Sequence, residues 1–277
     1  MHNDDITRRG FVGMAAAGLA AATAVTTEAQ QVVEKNVEIK TPDGTCDAYF
    51  VHPAEGKHPG VLIWPDIFGL RPAFRKMATR LAESGYSVLV VNPFYRTKKA
   101  PVAAEGASFQ DPTVRAALMQ LAGTLSKDTA DTDAKTFIAW LDKQASVDKK
   151  RKMGTMGYCM GGPLTMRTAA AIPDRVGAGA SFHGGGLVTD KPESPHLLVP
   201  KMKASYLFAI AANDDEKQPD AKNVLRETFA KANLPAEIEV YEGTLHGWCP
   251  PDSQVYNEAQ AEKAWGRLLA VFGKALA

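Results

Sequence analysis

Gly157-Tyr158-Cys159-Met160-Gly161 sets a thiol between two glycines in the order G-x-C-x-G. That pattern suits a nucleophile held at an abrupt strand-to-helix corner, with cysteine where serine more often stands. Glycines two places either side keep Cβ atoms out of the tight turn, so backbone or substrate can approach closely. The corner side chain then projects outward, and the amide that follows it, Met160 N–H, faces any oxyanion that develops. The plainer reading is a buried cysteine in a glycine-rich turn. Surrounding elements decide between the two, because a short motif is a hypothesis until its context is known.

The flanks suit a corner. Residues 149–157 can enter as a short strand, and residues 163–171 form a helical run closed by Pro173. Residues 32–40 and 46–51 alternate around Thr41-Pro42-Asp43-Gly44, the signature of an N-terminal hairpin. Residues 60–64 and 87–91 are continuous apolar runs, as expected of strands buried on both faces. Helical periodicity fills 71–84, 127–144, 219–232 and 257–276, while 176–182, 205–211 and 237–241 read as further strands. This alternation predicts an α/β fold, a mostly parallel central sheet flanked by helices on both faces. Chemistry then belongs in the loops at the carboxyl ends of the strands.

A nucleophile needs a base, and the base needs something to orient it. His246 follows the last strand and precedes the terminal helix, in Gly243-Thr244-Leu245-His246-Gly247-Trp248. That is the expected place for the base. His183, in Phe182-His183-Gly184-Gly185, reads as a hydrogen-bonded structural histidine, with pocket lining as its alternative. The acid should close the strand over 205–211, where Asp214 and Asp215 compete; Asp214 is preferred as the first beyond the strand. No CxxC, HExxH or comparable ligand spacing is present, so neither a metal nor another cofactor is expected.

Four ordered motifs now stand together: Pro65-Asp66-Ile67-Phe68-Gly69-Leu70-Arg71, the cysteine elbow, Ala211-Ala212-Asn213-Asp214-Asp215, and Leu245-His246-Gly247-Trp248. Over most of the chain this resembles the dienelactone hydrolase (carboxymethylenebutenolidase) family. The resemblance implies an α/β-hydrolase fold and hydrolysis of a small ester or enol-lactone through a thiol and an acyl-enzyme. It assigns Cys159 as nucleophile, His246 as base, Asp214 as orienting acid, and the N–H groups of Ile67 and Met160 as oxyanion donors. Two departures stand out. The family's glutamate beside the thiol is replaced by Asp66, one methylene shorter. Of the family's two carboxylate-gripping arginines, Arg96 approximates the first, and Cys249-Pro250-Pro251-Asp252 holds none where the second should lie.

The first 29 residues read as a separate object. Thr7-Arg8-Arg9-Gly10-Phe11 resembles a twin-arginine export signal, and the alanine-rich run after it is too short and too small to span a bilayer well. The expectation is a signal over 1–29, a partnership with the twin-arginine export machinery, and a periplasmic or secreted domain over 30–277 with no membrane span. With 45% hydrophobic residues the chain can bury one substantial core. Its 32 basic and 31 acidic residues leave a formal charge of +1 with no basic block, so nucleic acid is not an expected partner. Two other classes compete: a binding protein that keeps the fold without activity, and a thiol redox protein. The second needs a resolving cysteine, and the other two cysteines, Cys46 and Cys249, stand far from Cys159 in the chain.

Overall fold

The computed structural model describes residues 30–277; the expected export signal lies outside them. Eight strands form one sheet: β1 (Val32–Thr41), β2 (Gly44–Pro53), β3 (Gly60–Trp64), β4 (Ser87–Val91), β5 (Met153–Tyr158), β6 (Val176–Phe182), β7 (Ser205–Ala211) and β8 (Ala236–Tyr241). Their spatial order is β1-β2-β4-β3-β5-β6-β7-β8. β2 alone is reversed, antiparallel to both β1 and β4; from β4 to β8 along the sheet every neighbour is parallel.

Inside the continuous apolar runs the side chains still alternate by face. Val61, Ile63, Val88 and Val90 join one core with α1 (Pro72–Glu83) and α7 (Glu258–Ala275). Leu62, Trp64, Leu89 and Val91 join the other, with α3 (Lys127–Leu141), α4 (Gly161–Ala171) and α6 (Ala221–Lys231). Helices on both faces of a mostly parallel sheet explain why its central strands carry no polar stripe. This is the α/β architecture expected from the alternation, and it suits the α/β-hydrolase fold that the resemblance implies.

Three details differ from the periodicity reading. The elbow strand begins at Met153, because the cationic run Lys149–Lys152 cannot enter a strand all of whose residues are buried. A further helix, α2 (Pro112–Ala122), lacks a wide apolar face, since only Leu118 and Leu121 are buried; Asp111 caps it and Pro112 starts it. The segment after β7 is a short helix, α5 (Ala212–Lys217), not a loop. Leu118 and Leu121 of α2 meet Phe94 and Val102 in a small cluster against which Ile67, Phe68 and Met160 also pack. The outlying helix thus reaches the carboxyl edge of the sheet.

Candidate active site

The corner forms where the glycines allow it. Cys159 sits between β5 and α4 with φ +53°, a left-handed conformation costly for a non-glycine residue. A Cβ on Gly157 would strike the Gly161 carbonyl, and one on Gly161 would lie 2.8 Å from the Pro65 oxygen and closer still to that of Trp64. The elbow is therefore pressed against the end of β3. Cys159 N–H donates to Phe182 O (3.1 Å), and its own carbonyl accepts from Gly162 N–H (3.0 Å). These bonds hold the strained residue while leaving its thiol partly exposed.

Met160 is the N-cap of α4 and has no side-chain cap of its own, so the positive end of that helix opens at the thiol. Across from it, Asp66 Oδ1 accepts from Phe68 N–H (2.9 Å) and shapes the turn that presents Ile67. Neither Met160 N–H nor Ile67 N–H donates to an acceptor among the described residues. Free amides of this kind are what an oxyanion requires.

His246 arrives on the loop after β8 and Asp214 on α5 after β7, and the two segments are tied together. Thr244 Oγ1 donates to Tyr241 O (2.6 Å) and accepts from Ala212 N–H (3.2 Å), joining the end of β8 to the start of α5. Asn213 Oδ1 accepts from His246 N–H (2.8 Å). His246 Nδ1–H then donates to Asp214 Oδ2 at 2.6 Å. With Nδ1 occupied, Nε2 is the nitrogen left for the thiol. Burial alone would lower the His246 pKa; the hydrogen bond to Asp214, the nearby Cys159 sulfur and their negative charges overcome it and push it up to about 10. Asp215 is engaged elsewhere, in an ion pair with Lys222 at 2.6 Å.

The other expected site residues are placed differently. Asp66 is buried and gripped bidentately by Arg71 (2.6 and 2.9 Å), whose guanidinium also meets Asp252. Burial raises the Asp66 carboxyl, with Arg71 opposing. Arg96 spends its donors on Asp43 of the hairpin turn and on buried Asp133 of α3, and it stacks on Tyr95. His183 is not the hydrogen-bonded histidine expected: both ring nitrogens are buried without a partner among the described residues. Cys46 and Cys249 are both free and buried, and burial pushes both thiols up. Asn213, Thr244 and Arg71 stand inside the sequence motifs but carried no assigned role there. Asn213 at least stood next to the acid, whereas Arg71 and Asp252 are 181 residues apart.

A strained thiol thus stands at a strand-to-helix corner of an α/β sheet, with a paired imidazole and carboxylate on the segments that follow β8 and β7. The Dienelactone hydrolase family model matches residues 46–276, and the chain belongs to that family. It is accordingly a hydrolase of the ester and lactone class. The carboxymethylenebutenolidase of Rhodococcus opacus is 28% identical over 244 residues, 86% of this chain and 90% of that one. Among solved structures, the dienelactone hydrolase-like promiscuous phosphotriesterase P91 from metagenomic libraries superposes with a TM-score of 0.72. It is 19% identical, covering 89% of this chain and 99% of its own. The dienelactone hydrolase of Anabaena variabilis superposes at 0.55 with 18% identity, over 90% and 100%. At these identities the two structures speak for the fold.

Proposed function

We propose that the protein hydrolyses a small, uncharged ester or lactone, with Cys159 as nucleophile. The observation that carries this is the 2.6 Å hydrogen bond from His246 to Asp214, on an imidazole whose pKa the Cys159 thiol also raises. The thiol gives its proton to His246 Nε2 and its sulfur attacks the carbonyl carbon. The carbonyl electron pair moves to oxygen, where Ile67 and Met160 N–H groups stabilise it. Collapse expels the alkoxide, which takes the proton from His246 and leaves a thioester on Cys159. Water then gives a proton to His246 as it attacks the thioester, and the carboxylic acid leaves as the thiol is restored.

A neutral substrate fits the charge arrangement. Arg96 would have to abandon Asp43 and Asp133 to grip a carboxylate, and Arg71 would have to leave Asp66 and Asp252. Asp66, held at both oxygens, serves in this reading to shape the turn bearing Ile67. Export to the periplasm by the twin-arginine route rests on Arg8-Arg9 and the residues around them. The test compares a neutral aryl ester with a dienelactone, before and after iodoacetamide, in wild type and Cys159→Ala. The expected result is thiol-sensitive turnover favouring the neutral ester, with the alanine variant folded and inactive. Undiminished turnover in Cys159→Ala would refute the assignment.

A further inference from the structure

His183 lies against the site, yet the reaction just described gives it no part. It follows β6 with φ +39°, a second non-glycine residue in the left-handed region, held there by its N–H donating to Ala209 O at 2.8 Å. Its side chain is wedged among aromatic rings, with centroids 5.9 Å from Tyr158 and 6.3 Å from Trp248. The nearest is His246 itself, at 5.2 Å and 71°, an edge-to-face pair. The residue is 1% exposed, so it does not meet substrate. Both ring nitrogens are buried without a partner among the described residues, so this side chain meets its surroundings by ring packing alone.

We propose that His183 is a positioning residue: its uncharged ring packs against His246, fixes the plane of that imidazole and stabilises it as the imidazolium partner of the Cys159 thiolate. This rests on the Cys159 reading above. One hydrogen bond to Asp214 holds one edge of the His246 ring, and a packed second ring fixes the plane. An aromatic ring also attracts a cation more strongly than a neutral neighbour. For this His183 must stay neutral when His246 takes up a proton. Burial, and behind it the His246 charge, push its pKa well below the ordinary histidine range.

The other groups around the pair are accounted for. His246 faces Asp214 from α5 and the Cys159 thiol from the elbow, and Lys217 stands 3.8 Å from the far oxygen of Asp214. His183 faces the Tyr158 and Trp248 rings. Tyr241 is stacked behind Trp248, and the Cys249 thiol follows it in the chain. Burial raises Tyr158, Tyr241 and Cys249, so all three stay neutral near neutral pH.

The test follows alkylation of Cys159 by mass spectrometry, comparing iodoacetate with iodoacetamide across pH. The charged reagent is favoured while His246 is cationic, so the alkaline fall of the ratio reports the imidazolium. His183→Leu is expected to move that fall to lower pH and to lower kcat about tenfold with KM little changed. His183→Phe should keep the wild-type profile to within about twofold. Should the leucine variant not fold, His183→Gln, which loses the ring but keeps polarity, carries the same expectation. A folded leucine or glutamine variant with the wild-type profile would overturn the proposal. So would a folded phenylalanine variant as damaged as the others, because a nitrogen and not the ring would then be at work. Wild-type turnover that survives alkylation of Cys159 would instead sink the nucleophile assignment, before any His183 variant is made.

Discussion

Replacing Asp214 by asparagine is the sharpest perturbation the site offers, because it keeps size and shape while removing the charge. The bond it alters is short, 2.6 Å, and charge-assisted. Such bonds contribute about 1.5–3 kcal/mol, or roughly ten- to 150-fold in the population of imidazolium. A second effect adds to this. An asparagine amide can donate to Nδ1, which puts the ring proton on Nε2, the wrong nitrogen to receive one from the thiol. In serine triads that inversion costs about 10⁴ in kcat. Asp214→Asn is therefore expected to lower kcat on a neutral aryl ester between about 10² and 10⁴. Its alkaline fall in iodoacetate alkylation should move down from about pH 10.

The same change has a stability signature of defined sign. A histidine whose pKa is raised on folding stabilises the native state fully below its unfolded value of about 6.5. That contribution is lost as pH rises through about 10. The difference in stability between wild type and Asp214→Asn should thus shrink across this window, as read by urea unfolding at several pH values. Asp215→Asn is the control. Its partly exposed pair with Lys222 is of a kind that contributes at most about 1 kcal/mol, and turnover should be unchanged. An Asp214→Asn enzyme within about threefold of wild type, or loss confined to Asp215→Asn, would refute the reasoning.

Two further variants separate scaffold from chemistry. Gly161→Ala drives a Cβ against the carbonyl ends of Trp64 and Pro65, which are backbone and cannot step aside. The expected cost is about 1–3 kcal/mol, read as a fall in Tm of a few degrees. Arg96→Gln strands the buried Asp133 carboxylate and should lower Tm. If Arg96 is a brace, the ratio of kcat/KM for acidic over neutral esters stays where it was; a collapse of that ratio would return Arg96 to substrate binding.

The geometry was legible in the sequence wherever it depended on local spacing. The G-x-C-x-G corner, the apolar strands and the position of His246 before α7 are each set by a few adjacent residues, and each is found where expected. What spacing cannot carry is a contact between distant segments. Arg71 reaches Asp252 across 181 residues, and Arg96 reaches Asp43 across 53. No periodicity joins those positions, so an arginine near the site looked free when the folded chain has it spent. His183 failed for a related reason. Burial of a histidine is readable from its place after a strand, but whether its nitrogens find partners depends on β5 and on the segment after β8.

The replacement of the family's glutamate by Asp66 bears on how the thiol is activated. A carboxylate that takes the thiol proton must be able to turn toward the sulfur. Asp66 has one fewer methylene to turn with, and its oxygens are held by the Phe68 amide and by two guanidinium nitrogens. Freeing it would strand Arg71 beside an incompletely paired carboxylate, a change of the kind that costs several kcal/mol when buried. On the proposed reading the proton therefore passes straight to His246. The demand then falls on that imidazole to hold a positive charge, which Asp214 meets from one side and the neutral ring of His183 from another. Arg71→Lys offers a way to see this: it keeps the charge near Asp66 but loses the fork. If Asp66 were the acceptor, loosening its grip would speed thiol alkylation. If His246 is, the rate of alkylation stays put and only the turn bearing Ile67 suffers, seen as a lower kcat for ester hydrolysis.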